Sequence, residues 1–203
     1  MIQPIVEGHG EVPSIPILLR RLANLMGIPS VKIGSPIRST RSQLTQEAGL
    51  KRYVSMARLE PGCKAILIMF DADDICPKEA VPKILVWAQE AANPLPCAVV
   101  LPNREYEAWF LGCVESLLEA RGIQPAIPYD KNCETKRDAK GELETRFGEG
   151  FRYFARTDQP AFTALANWAL VYERCRSFRK MTKEARKLFV AEGHQPHAWP
   201  VSM

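Results

Sequence analysis

Two short acidic motifs, each joined to the end of an apolar run, are the residues in this chain best suited to chemistry. Ile2 to Val6 leads directly into Glu7-Gly8-His9-Gly10-Glu11, and Ala65 to Phe70 leads into Asp71-Ala72-Asp73-Asp74. A carboxylate at the end of a buried strand is costly to desolvate unless positive charge faces it. Glu7, Asp71 and Asp73 offer the hard oxygen ligands that Mg2+ or Mn2+ prefers. Gly8 and Gly10 allow a tight turn and close backbone approach. Taken singly, either motif reads as helix capping. As a pair, both following strands, they point to a divalent-cation site.

The elements that must position these motifs follow from periodicity. Ile2–Val6, Val31–Ile37, Lys64–Phe70 and Cys97–Leu101 read as strands, with Gly34 and Pro36 weakening the second. Between them, helices are expected from about Pro13 to Met26, from Leu44 to Leu59, and from Pro77 to about Ala92. The prolines Pro13 and Pro16 fit a first turn, where backbone N–H groups lack partners anyway. A fourth helix should hold Glu105, Glu107, Trp109 and Leu111. Apolar strands alternating with helices imply an α/β fold with a mostly parallel sheet covered on both faces. In such a sheet Glu7, Asp71, Asp73 and Arg104–Glu107 all follow carboxyl ends of strands, the edge where ligands bind.

The second half differs. Residues 123–135 read as loop, Arg137–Phe147 as a short polar helix, and Ala161 to Cys175 as one amphipathic helix. Residues 174–187 carry seven basic side chains and one acidic one. On a continuous helix Arg176, Arg179, Lys180, Lys183 and Lys187 form one stripe. Such a stripe suits a phosphate backbone, or is simply a solvated face. The expected division is residues 1–120 as the α/β metal-site core and 121–203 as a mainly helical extension packed on it.

Composition narrows the classes. The chain has 203 residues, 46% hydrophobic and 25% charged, with net charge +4, ordinary values for a globular protein. No apolar run approaches the roughly 20 residues that span a bilayer, and no secretory leader is visible, so a cytoplasmic location without a membrane partner is expected. Six scattered cysteines without a CxxC pair suit buried thiols in a reducing compartment. The Arg38-Ser39-Thr40-Arg41-Ser42 segment after the second strand is either a small phosphate-friendly loop or an ordinary helix-capping segment, and capping is the expected role. His9, inside the acidic motif, either touches substrate or is simply a glycine-flanked loop residue, and His194 and His197 lie in a proline-containing tail with no expected metal role. A haloacid-dehalogenase phosphatase, with Asp71 as nucleophile, would leave the Glu7–Glu11 motif unexplained and lacks its late Asp-Asp pair.

The EGxxE and DxD motifs together resemble the TOPRIM domain of topoisomerases, bacterial primase and overcoming-lysogenisation-defect nucleases. Arg104-Glu105-Tyr106-Glu107-Ala108-Trp109-Phe110 is similar to a segment of a bacterial TOPRIM-like family known only as a domain of unknown function. Arg137–Gly141, Thr157–Pro160 and Ser177–Lys180 resemble later motifs of that family. The resemblance implies a TOPRIM-like sheet of about four strands flanked by helices, a helical C-terminal extension, and Mg2+- or Mn2+-dependent hydrolysis of phosphodiesters. It implies Glu7 as general acid/base or first metal ligand, Asp71 and Asp73 as ligands, and Glu107, with Glu105 or Glu11, completing a second position. Arg104 is best placed to offset the developing phosphorane charge, with Lys140 and Arg137 joining it only if the small helix folds back over the site. Implied partners are nucleic acid, DNA first, and an AAA-type ATPase of a phage-defence system; self-association stays open. The alternative is a catalytically weak binding or regulatory subunit of such an ATPase.

Overall fold

The computed structural model describes residues 1–200. Its centre is a four-stranded parallel sheet: β1 (Ile2–Val6), β2 (Ile37–Arg38), β3 (Ala65–Met69) and β4 (Cys97–Val100), in the order β2-β1-β3-β4. Alternate strand residues face opposite layers. Ile2, Val6, Leu67, Met69, Ala98 and Val100 join one apolar cluster; Ile5, Ile66, Ile68, Val99 and Leu101 join the other. That two-sided burial explains the unbroken apolar runs in the sequence.

Helices cover both faces. On one side lie α1 (Glu11–Leu25) and the last helix; on the other α3 (Glu47–Leu59), preceded by the short α2 (Arg41–Leu44), and α4 (Pro77–Ala92). After β4 come α5 (Glu107–Leu111), α6 (Val114–Ala120), a 3-10 turn at Cys133–Thr135, α7 (Ala139–Phe147), α8 (Ala155–Leu165), α9 (Trp168–Arg174) and α10 (Arg176–Glu192). These helices do not form a separate core. Trp109, Phe110, Phe162, Trp168, Phe178 and Phe189 belong to the same cluster as α1 and that face of the sheet.

Several expected boundaries shift, each for a local reason. The second strand is not continuous from Val31 to Ile37: Ile33 makes one isolated bridge to Ile2, and only Ile37–Arg38 forms a strand. Ile2 and Val6 both turn their backbone groups toward this neighbour, so Pro4 between them does too, and Pro4 has no N–H to give. At the gap the buried Gln3 carboxamide donates to the Ser35 carbonyl at 2.7 Å instead. The first helix starts at Glu11, which moves Pro16 out of the first turn. The helix expected around Glu105 starts only at Glu107, because Arg104 adopts a left-handed φ of 69° and the Tyr106 N–H is taken by Asp71. The expected helix from Ala161 to Cys175 is two helices. Ala166 is extended, and the Asn167 side chain accepts from Ala169 N and Leu170 N, capping α9.

Candidate metal and phosphodiester site

The strand order places a topological switch point between β1 and β3: from β1 the chain goes to one side, then returns to continue on the other. Glu7 follows the carboxyl end of β1 and Asp71 that of β3, so both acidic motifs flank the crevice where open α/β sheets bind ligands. The β3 and β4 loops stay joined beyond the strands. Ala72 N donates to Pro102 O at 3.0 Å and Asp73 N to Arg104 O at 2.9 Å. Asp73 itself sits at φ 45°. Two non-glycine residues held left-handed at adjacent strand ends, each costing about 1–3 kcal/mol, mark a backbone shaped for more than chain reversal.

Gly8 and Gly10 are explained by close approach. A Cβ at Gly8 would collide with the Glu11 carboxylate, which folds back over the turn. One at Gly10 would collide with the Gln159 carboxamide and stand 2.8 Å from the Ala155 carbonyl oxygen of α8. The Glu7–Glu11 turn is thereby pressed between its own carboxylate and the C-terminal helices.

The electrostatics are those of crowded acid. Glu107, 2% exposed, has its carboxyl pushed up to about 7, first by burial. Burial, followed by repulsion from Glu107 and Glu11, raises Asp71 well above the usual carboxylate range, although its Oδ1 accepts from Tyr106 N at 2.8 Å. Glu11 is raised by burial. Glu7 is raised by burial and by Glu11 and Asp73, against the pull of Arg41. Burial opposes the charge on Lys140, yet Glu107, Asp71, Glu105 and Glu11 hold its ammonium above the ordinary value. Its Nζ lies 3.9 Å from Glu107 Oε1. Lys140 is therefore folded back over the acidic set.

Arg41 is the residue that sequence reasoning missed. Its Nη1 lies 2.7 Å from Asp73 Oδ2 and 3.6 Å from Glu7 Oε2, linking the two motifs. Nη1 and Nη2 also donate to the Asp71 and Ala72 carbonyls, both at 2.8 Å. The available signal was topological: its basic, hydroxyl-rich loop follows β2 on the same sheet edge as Glu7. Arg104 lies further out. It pairs with Asp74 at 2.5 Å and donates to Asp73 O at 3.1 Å, and Arg137 pairs with the same Asp74 at 2.8 Å.

The basic residues of α10 are not part of this cluster. Ser177 at its start receives the Trp109 indole N–H, and Glu192 O at its end accepts from Lys64 just before β3. The helix runs antiparallel to the strands, with Arg176 toward the site edge and Lys187 toward the opposite one. Arg176, Arg179, Lys180, Lys183 and Lys187 are all exposed. Arg179 is committed to the Tyr172 and Glu173 carbonyls, and Lys180 and Lys187 both pair with buried Glu184. His9 is exposed at the turn, His194 pairs with Glu192, and the His197 N–H donates to Met26 O, far from the acidic edge.

A divalent cation fits this donor set chemically. Among the described residues, the buried oxygens Glu7 Oε2 and Glu105 Oε2 have no hydrogen-bond partner, and several carboxylates raise one another. The side chains do not form a finished cage. Among the described residues no three His, Cys, Asp or Glu side chains converge closely enough to hold an ion as they stand. Arg41 occupies the position between Glu7 and Asp73 instead. No protein-family model, curated protein or solved structure matches this chain significantly.

Proposed function

We propose that this protein is a TOPRIM-like, Mg2+- or Mn2+-dependent phosphodiesterase acting on nucleic acid, with DNA as the expected substrate. The observation that carries the reading is the gathering of Glu7, Glu11, Asp71 and Glu107 at the switch point of a parallel sheet, with too little positive charge to balance them. Glu7, Asp71 and Asp73 would hold the ion, with Glu11 and Glu107 behind them. A divalent ion at such a site supplies Lewis acidity toward the phosphoryl oxygens and activates water. The chain's own groups supply the rest. Glu7, its carboxyl raised above the ordinary range by burial, takes or returns a proton. Lys140 and Arg41 offset charge on the non-bridging oxygens, and Arg104 with Arg137 meets the flanking phosphates. A phage-defence or DNA-processing role and an AAA-type ATPase partner belong to this reading by resemblance alone.

Arg41 favours a second reading. A guanidinium bridging Glu7 and Asp73 suits a catalytically weak binding or regulatory subunit of an AAA-type ATPase, its acidic edge kept closed. Nicking of supercoiled plasmid DNA in Mn2+ separates the two. The wild-type chain should nick, and Glu7→Ala and Asp73→Ala should each be slower by at least about 100-fold. Variants that cut as well as wild type would remove these residues from the mechanism; a wild type that does not cut favours the regulatory reading.

A further inference from the structure

Away from the acidic edge, two buried thiols face each other. Cys133 lies in the 3-10 turn and Cys175 at the junction of α9 and α10, 42 residues later, with their sulfur atoms 3.1 Å apart. Both are buried, and both are free thiols. The bland account is two small apolar side chains filling a core. Three features go beyond it. The backbone is built around the pair: a Cβ at Gly112 would stand 2.7 Å from Cys175 Sγ and 3.6 Å from Cys133 Sγ. The neighbouring Glu134 carboxylate receives Arg176 N at 2.8 Å and Ser177 N at 2.7 Å, so the turn is already fastened to the start of α10. The third is the S–H···S hydrogen bond that the two thiols share, in which either sulfur can donate, so a thiolate formed at one lies directly against the sulfur of the other.

We propose that Cys133 and Cys175 are a thiol-oxidation site that closes to a reversible disulfide, tying the segment that carries Arg137 and Lys140 to α10. The oxidant class is a small disulfide such as oxidised glutathione. The Cys133 thiolate attacks one glutathione sulfur, forming a mixed disulfide and expelling one glutathione thiolate, which takes up the Cys133 proton. Cys175 then attacks the Cys133 sulfur. The second glutathione leaves with the Cys175 proton. One protein dithiol is oxidised and one glutathione disulfide is reduced to two thiols. Access comes from opening of residues 123–138, whose regular structure among the described residues is the 3-10 turn alone, so it should open well below global unfolding. Two residues past this turn, Arg137 reaches Asp74, and Lys140 follows over Glu107, so the bond would fix a segment that closes the candidate site.

The test equilibrates the full chain with graded oxidised and reduced glutathione, quenches with acid, alkylates under denaturing conditions and maps the peptides by mass. The expected product is a Cys133–Cys175 linked peptide, lighter by two hydrogens and reversed by dithiothreitol, while Cys63, Cys76, Cys97 and Cys113 are alkylated. Oxidation should raise the melting temperature on the order of 10 °C. In Cys175→Ser, a glutathione adduct should accumulate at Cys133 because the resolving thiol is gone. Alkylation of both Cys133 and Cys175 throughout the series, or linkage of either to another cysteine, would overturn the proposal. The wild-type map decides the question even if the variant fails to fold.

Discussion

At the residue scale, the account turns on how few cations face how many carboxylates. Arg41 bridges Glu7 and Asp73 and competes for the oxygens that a divalent ion needs. Arg41→Gln should bind Mn2+ about tenfold more tightly by calorimetry, since removing a unit charge a few ångströms away is worth more than the 1.4 kcal/mol this represents. Unchanged affinity would mean that Arg41 does not compete. Glu107 adds a pH signature in chelator. Burial pushes its carboxyl up to about 7, from the ordinary 4.5. The folded state therefore binds more protons than the unfolded one across that interval, and stability falls as pH rises through it. Glu107→Gln should flatten that slope and raise the melting temperature at pH 8 in EDTA; an unchanged slope would show that Glu107 does not titrate as its burial demands. Glu7, Asp71 and Asp73 were legible because each follows a strand. Arg41 was not, because a loop arginine reads the same whether it caps a helix or crosses to another strand's end.

At the scale of elements, helix breaks depend on single polar groups. Asn167 accepts from Ala169 N and Leu170 N at the start of α9. Asn167→Ala should cost about 1 kcal/mol, lowering the melting temperature by roughly 2–4 °C in a chain of this size. No measurable shift would remove the cap as the reason α8 and α9 part. That break was hidden in the sequence because Phe162, Leu165, Ala166 and Ala169 keep helical spacing straight across it. The central strands β1, β3 and β4 were legible for the opposite reason: burial on both faces leaves an apolar run with little else to be. The partner of Pro4 was not, since a missing donor on one strand shows only in its neighbour. On α10, replacing Lys180, Lys183 and Lys187 by alanine should make the salt dependence of DNA binding shallower by about 2–3 in log–log slope. An unchanged slope would return that face to solvent.

At the scale of the whole molecule, the C-terminal helices belong to the same apolar cluster as one face of the sheet, and they build part of the site. Lys140 on α7 stands over Glu107 on α5, Gln159 on α8 meets the Gly10 turn, and α10 lies across the strands. Among the described residues no helix is long and apolar enough to cross a membrane. The sequence motifs located the acidic edge, and the strand order explains why they meet there. What the motifs did not carry is Arg41, which reaches the site from β2's loop; Lys140, expected from the Arg137–Gly141 segment, comes from a helix beyond the sheet. The central claim is that this edge binds a divalent metal through Glu7, Asp71 and Asp73. Calorimetric titration of Mn2+ into the wild-type chain and Asp71→Ala tests it most directly. Saturable binding in the wild type that is lost in the variant is the predicted result; equal binding in both, or none in either, would contradict it.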